Sequence, residues 1–279
     1  MAMIDLNAIQ TRISFLSKCL ADKAAEKWNS QQLARENKLL LAIYQIYKYL
    51  IFFPILVSST VVMGTAATLL AILVDKKIAS VCGIIWARLN SYITPMLVTV
   101  IGREKIEKNK SYVIVANHQS QYDIFVIYGW MPVDFRWVMK IQLKSIPFLG
   151  YACYKIGHIY IDRSHPEAAK ASINAARDRI KGGTSIMFFP EGTRSVDGRL
   201  LEFKKGAFKF AIDMHLPILP VSIVNTRNVL PAKSLTLFPG KAKLVIHDPI
   251  DISGHSEETI GEIMNTARKR IQQGLDQHS

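Results

Sequence analysis

Tyr112-Val113-Ile114-Val115-Ala116-Asn117-His118-Gln119-Ser120-Gln121-Tyr122-Asp123 is the stretch on which the reading of this chain turns. Its first five residues are an apolar run of strand length, and the polar side chains begin where that strand ends. His118 and Asp123 are five positions apart, which on one regular α-helix sets them about 140° apart and out of reach. They can meet if His118 stands in the strand-exit loop and Asp123 in the first turn of a following helix. A carboxylate bonded to one imidazole nitrogen fixes the tautomer and leaves the other nitrogen as a general base. Two plainer readings compete. Ser120-x-x-Asp123 also fits a helix capping box, in which Asp123 is structural, and a lone histidine at a strand end is often only a hydrogen-bonded loop residue. The sequence has no Gly-x-Ser-x-Gly nucleophile elbow, so a base here has to act on something other than an enzyme serine. A substrate hydroxyl is the simple choice.

Outward from this stretch the chain alternates strand and helix signals. Phe135, Trp137 and Met139 alternate like a half-buried strand, and residues 157–161, 185–189, 218–224 and 243–246 give four more. Ser164-His165-Pro166-Glu167 reads as a capping box with proline in the first turn, opening a helix that runs to Lys181 and stops at Gly182-Gly183. A closing helix is expected from about Ser256. Strands separated by helices predict an α/β layer on a parallel or mixed sheet over residues 102–279.

A second constellation, Phe188-Phe189-Pro190-Glu191-Gly192-Thr193-Arg194-Ser195, also sits at a strand end. Proline and glycine shape a tight turn, and Thr193, Arg194 and Ser195 offer donors around it. A guanidinium suits phosphate because its planar fork can bond two oxygens at once. Glu191 could orient that arginine or hold the turn; the bland alternative is an ordinary turn with a surface Arg–Glu pair. Lys204-Lys205-Gly206-Ala207-Phe208-Lys209 either lines the same phosphate site or is a solvated helix start.

Residues 1–101 form a different region. Leu6, Ile9, Ile13, Leu16 and Leu20 mark one face of an amphipathic helix, which suits either an anionic membrane surface or packing on the protein's own domain. Residues 49–74 are 26 consecutive uncharged positions, enough to cross a bilayer, which takes about 20 apolar residues. Pro54, Ser58, Ser59, Thr60 and Gly64 interrupt them, and residues 78–101 carry Arg88, Asn90 and Pro95. Lys48, Lys76 and Lys77 put positive charge on both sides of the first run, which disfavours a single crossing. The expectation is a helical hairpin dipping into one leaflet with both flanks cytosolic; two true spans or a buried soluble helix are the alternatives.

Composition agrees. The net charge is +13 with 49% hydrophobic residues, and the absence of zinc-finger, RNA-recognition or basic-helix patterns favours an anionic membrane and an anionic substrate over nucleic acid. Cys19, Cys82 and Cys153 are odd in number and lack a CxxC spacing, which implies reduced cytosolic thiols. Asp5 in the opening residues argues against a signal peptide. No zinc-like spacing surrounds His118, so no metal is expected. His158, His165, His215, His247, His255 and His278 lack a partner pattern and read as structural or exposed.

Taken together, the two constellations resemble the glycerolipid acyltransferase family, most closely its 1-acyl-glycerol-3-phosphate acyltransferases. The family's first block, Asn-His, four residues, then Asp, corresponds to Asn117, His118 and Asp123, and its third block runs uninterrupted from Phe189 to Ser195. The second is similar to Lys140, Leu143, Pro147, Gly150 and Gly157-His158-Ile159-Tyr160-Ile161-Asp162-Arg163, and the fourth to Leu216-Pro217-Ile218-Leu219-Pro220-Val221. The resemblance implies a mixed sheet flanked by helices with an N-terminal membrane-associated helical region. It implies transfer of an acyl group from acyl-CoA or acyl carrier protein to the sn-2 hydroxyl of 1-acyl-glycerol-3-phosphate, with the thioester as co-substrate and no cofactor. His118 would be the general base and Asp123 its orienter; Glu191, Gly192, Thr193 and Arg194 would bind the acceptor phosphate, with Lys140 and Arg163 as further candidates for the phosphate or the oxyanion. The expected location is the cytoplasmic face of a cell membrane, in a bacterium the inner membrane. The alternatives are another lysophospholipid or an amino-acid-lipid acceptor, or a non-catalytic membrane adaptor of the same fold.

Overall fold

Apolar runs that alternate with amphipathic helices have one compact solution, a sheet with helices on both faces. The computed structural model describes residues 38–107, 109–162, 164–180 and 182–279. The expected amphipathic helix before Lys38 and the residue Arg163 lie outside them. Helix α1 (Lys38–Tyr47) runs through a π-helical turn into α2 (Phe53–Leu73), then the chain reverses into α3 (Lys76–Ile93). The rest is β1 (Met96–Ile101), β2 (Val113–Ala116), α4 (Tyr122–Trp130), β3 (Phe135–Lys140), α5 (Leu149–Ile156), β4 (Ile159–Ile161), α6 (Pro166–Asn174), β5 (Ser185–Phe188), α7 (Gly206–Met214), β6 (Ile218–Val224), α8 (Thr226–Val229), β7 (Gly240–Ile246) and α9 (Ile260–His278).

The seven strands form one sheet in the order β1-β7-β6-β2-β5-β3-β4. Every neighbouring pair is parallel except β6 and β7, which makes the sheet mixed, as the sequence predicts. β2 lies at its centre, and its side chains alternate between two cores: Ile114 and Ala116 pack with α4, Val113 and Val115 with α7 and α9. The sheet begins earlier than the texture change at Gly102 suggests. Met96–Ile101, the end of the second apolar run, is an edge strand on β7.

The hairpin has local causes. Pro54 has no N–H to return to the preceding turn, and the wide π-helical turn falls just before it, with the Phe53 N–H on the Lys48 carbonyl. Asp75 caps α3 by accepting the N–H groups of Lys77 (2.6 Å) and Ile78 (3.3 Å). Two of the polar residues that interrupt the apolar run, Ser59 and Thr60, face the partner helix: Asn90 donates to Ser59 (3.1 Å) and Trp86 to Thr60 (3.0 Å), while Ser58 is exposed. The hairpin lies along the α/β domain over its whole length. At its tip Lys77 Nζ donates to the Gly182 carbonyl (3.0 Å), and at its base the Gln45 amide donates to the Leu237 carbonyl (2.9 Å) and accepts the Leu237 N–H (3.3 Å), while Tyr44 and Tyr47 tie α1 to the end of α3 through the carbonyls of Thr94 and Ile93 (2.7 Å each). By length and composition Lys38–Leu73 could cross a membrane. Its outer side, with that of α3, exposes Phe53, Val57, Leu69, Leu73, Val81 and Ile85.

Two local readings changed. Ser164 does not cap α6; its hydroxyl turns back to Asp162 (2.5 Å), a local acceptor that outcompetes the helix N–H groups. The helix ends at Asn174 rather than running on to Lys181, because a 3₁₀ turn at Arg177–Arg179 carries Ala176 and Ile180 into the core.

Candidate active site

The exits of the parallel strands bring the motifs together. In an α/β sheet the carboxyl ends of the strands are where ligands bind, since loops there are free to vary. β2 delivers His118, β5 the 189–195 turn, β3 Lys140 and β6 the residues 225–228. His118 lies in the strand-exit loop and Asp123 in the first turn of α4, with Nδ1 of the imidazole 2.7 Å from Asp123 Oδ2. An ionised carboxylate only accepts, so Nδ1 carries the proton and Nε2 presents its lone pair.

Asp123 is fully buried, and a buried carboxylate is tolerated only when donors replace its lost water. Besides the imidazole, Oδ2 accepts the backbone N–H groups of Gln119 (2.7 Å) and Ser120 (2.9 Å), and Oδ1 accepts the Thr226 hydroxyl. Asp123 therefore holds the loop as well as the ring, so the capping reading and the orienting one describe the same carboxylate. The His118 ring stacks on Phe189 with centroids 4.0 Å apart and planes within 9°, and it keeps 16% of its side-chain surface open.

The third motif clamps the backbone of the first. Glu191 Oε1 accepts the His118 N–H (2.7 Å), and the Ser195 N–H donates to the His118 carbonyl (2.8 Å). The other Glu191 oxygen accepts the Leu201 N–H (2.9 Å). Glu191 thus holds the turn, with both oxygens facing main chain; the resemblance had given it to the acceptor phosphate. Burial, with the Asp123 charge nearby, pushes its carboxyl up to about 7 against the pull of those two N–H groups. Ser195 is also internal, its hydroxyl bonded to Asp197 (3.0 Å).

Thr193 is exposed and Arg194 half-buried. Lys204 joins them: a Cβ on Gly192 would stand 3.1 Å from Lys204 Nζ, and Gly192 has φ +71°. The left-handed backbone favours glycine there, and the flexible end of Lys204 packs over it. Lys140, exposed at the end of β3, is two strands from β2, about 10 Å at the usual strand spacing. The structure does not bring it to His118 Nε2. His158 lies apart, buried against the Tyr128 hydroxyl (3.1 Å) and held neutral, its pKa down to about 3 through burial and then Arg136.

Of three further contributors, Thr226 escaped the sequence reading, and Asn117 and Phe189 stood in its motifs without a role. Thr226 anchors Asp123; Asn117 ties β2 to β6 by exchanging two bonds with the Ile223 backbone (2.7 and 2.9 Å); Phe189 supplies the stacking surface. The only signal for Thr226 is that it follows a strand, and it becomes informative once β6 is known to neighbour β2.

Comparison with known proteins gives a consistent picture. The family model described as Acyltransferase matches residues 97–224, from β1 to the end of β6. A 1-acyl-sn-glycerol-3-phosphate acyltransferase of Saccharomyces cerevisiae is 32% identical over 215 residues, 75% of this chain and 70% of its own length. One from Chlamydomonas reinhardtii is 31% identical over 64% of this chain and 53% of itself, and a chloroplastic one from Arabidopsis thaliana 31% over 69% and 52%. The chain spans about half the length of these algal and plant relatives. The crystal structure of PlsC, the 1-acyl-sn-glycerophosphate (LPA) acyltransferase of Thermotoga maritima, superposes with a TM-score of 0.70 at 29% identity, over 86% of this chain and 95% of that one. With its histidine–aspartate pair held at the centre of that same sheet, and with similarity running through most of its length, the chain belongs to the acyltransferase family.

Proposed function

We propose that this protein transfers a fatty acyl group from a thioester to the sn-2 hydroxyl of 1-acyl-glycerol-3-phosphate, giving phosphatidic acid. The observation that carries this reading is the His118–Asp123 pair, whose loop is bonded through its backbone to an arginine-bearing turn. A secondary alcohol is a poor nucleophile near neutral pH. His118 Nε2 takes its proton as the oxygen attacks the thioester carbonyl, and Asp123 stabilises the imidazolium. The tetrahedral oxyanion collapses, the C–S bond breaks, and the proton on Nε2 passes to the departing thiolate. Arg194, with Lys204 and Thr193, takes the acceptor phosphate. Lys140, away from the imidazole, is a candidate for the outer part of that phosphate site, and Arg163 stays a candidate for the phosphate or the oxyanion on the motif resemblance alone.

The acceptor resides in a bilayer and the donor, acyl-CoA or an acyl carrier protein, arrives from water. The outward apolar face of the hairpin serves that meeting by sinking into one leaflet, because its inner side is fastened to the α/β domain at both tip and base. Lys48, Lys76 and Lys77 at its two ends suit the anionic cytoplasmic surface. The test is thiol release with lysophosphatidic acid in vesicles. His118→Ala should lower kcat by about 10²–10⁴-fold with acceptor binding retained. Faster turnover on phosphate-free acceptors would overturn the choice of acceptor, and liposome binding with no thiol release from any donor would mark an adaptor.

A further inference from the structure

A recess of about 520 Å³ opens beside the site, on the side of the sheet away from the hairpin. Its walls are Gln119, next in sequence to the proposed base, the loop around Arg199, the residues around Arg227, and the last turns of α9 with Arg268. α9 packs in the core of Val113 and Val115, whereas the hairpin's Phe52 and Ala87 pack in the core of Ile114 and Ala116. Recess and hairpin therefore stand on opposite faces of the sheet, and the His118 loop lies at the edge between them.

The lining is cationic and polar, unlike an acyl channel. Arg268 is committed to the carbonyls of Leu200 (2.8 Å) and Leu201. Arg227 holds the Val196 carbonyl through Nε (3.1 Å), which leaves the end of its fork for another acceptor. Arg199 projects outward with 89% of its side chain exposed, its Nε 3.7 Å from Asp197 Oδ2 in a loose ion pair that a phosphate can replace. The two carboxylates in the wall have partners: Asp197 accepts the Ser195 hydroxyl and the Arg199 N–H, and Asp276 accepts the Gln272 amide (2.8 Å).

We infer that this recess binds the phosphate end of the phosphopantetheine arm that carries the acyl thioester. The inference rests on the acyl-transfer reading and adds where the donor docks. The acceptor comes from the lipid side and the carrier from the water side, so the two substrates reach His118 without crossing. A phosphate group suits guanidiniums at a wet opening, where a fork can meet two oxygens. Coenzyme A and holo acyl carrier protein share the pantetheine 4′-phosphate, which is esterified to a serine in the carrier protein and is part of a diphosphate in coenzyme A.

The experiment is calorimetric titration of the full chain in detergent with coenzyme A and, separately, with holo acyl carrier protein, alongside thiol-release kinetics with each acyl donor. The variants are Arg199→Gln/Arg227→Gln and the rescue Arg199→Lys/Arg227→Lys. Losing one charge-assisted bond predicts about tenfold weaker donor binding and a matching rise in donor KM. The KM for lysophosphatidic acid should stay within about twofold, and lysine should restore part of the loss. Because Arg227 also holds the Val196 carbonyl, Arg199→Glu at the exposed position gives a second test that spares the fold. A loss with both carriers assigns the recess to the pantetheine phosphate; a loss with coenzyme A alone assigns it to the nucleotide phosphates. Unchanged binding of both, or a rise confined to the acceptor KM, overturns the inference. Wild-type protein that titrates normally with coenzyme A yet releases no thiol would instead sink the acyl-transfer reading and leave the phosphate site standing.

Discussion

Helices α3 and α9 flank opposite faces of one sheet and are built inside out with respect to each other. α9 turns Ile260, Ile263, Ala267, Ile271 and Leu275 inward and leaves Lys269, Gln272 and Gln273 outside, as a helix in water does. α3 turns Ala79, Ser80, Cys82, Ala87, Asn90 and Ser91 inward and leaves Ile78, Val81, Ile85, Leu89 and Tyr92 outside. Small residues and polar links inside, with large apolar ones outside, is how helices associate where the surroundings are hydrocarbon. The two helices thus differ on both faces, and the large apolar outer stripe of α3 is what the proposed leaflet contact rests on.

The largest effect should come from giving α3 the outer polarity of α9. On the proposed insertion into one leaflet, Val81→Lys/Ile85→Lys/Leu89→Lys takes three large side chains out of lipid, each worth about 1.5–3 kcal/mol when fully buried. Sedimentation with phosphatidylglycerol vesicles should show binding weakened by at least about 100-fold, with circular dichroism unchanged; retained binding would dissolve the contrast. A smaller loss is expected from Tyr151→Asp/Tyr154→Asp on α5. Those exposed rings, with Lys155 and Lys144 5.2 and 5.4 Å from their centroids, extend the apolar face in the residue types of a membrane interface.

The inner faces should respond alike. A Cβ on Gly83 would overlap the Tyr128 ring, and one on Gly274 would come within 2.8 Å of the His247 ring. Gly83→Ala and Gly274→Ala should each cost about 1–3 kcal/mol, read as a lowered Tm. At the edge between the two faces, Glu191 with its carboxyl near 7 takes up a proton on folding. The folded state then binds more protons than the unfolded one, so this contribution falls as pH rises from about 4.5 to about 7. The decline in Tm over that range should be absent in Glu191→Gln. Least of all, Lys269→Leu on the outside of α9 should change stability by no more than about 0.5 kcal/mol.

How far the sequence could be read depended on whether a feature was local. The strand before His118 and the meeting of His118 with Asp123 across a loop–helix junction are local, and five residues suffice to argue them. β1 was hidden because Met96-Leu97-Val98-Thr99-Val100-Ile101 continues an apolar run, and only its pairing with β7, some 140 residues on by the register Met96↔Gly240, distinguishes it. Thr226 and the amide partners of Glu191 depend on strand order, which periodicity does not carry. The outward stripe of α3 was visible as hydrophobicity, but the inward direction of Ser59, Thr60 and Asn90 needed the partner helix.

His118 is gripped at its N–H by Glu191 and at its carbonyl by Ser195. The two motifs therefore share one mechanical fate, and their substitutions should be epistatic rather than additive. A slow Glu191 or Ser195 variant cannot by itself be scored as a substrate-contact defect, because the same lesion can displace the imidazole. Only a cycle that pairs each with His118→Ala, with ligand affinity measured apart from turnover, separates grip from contact.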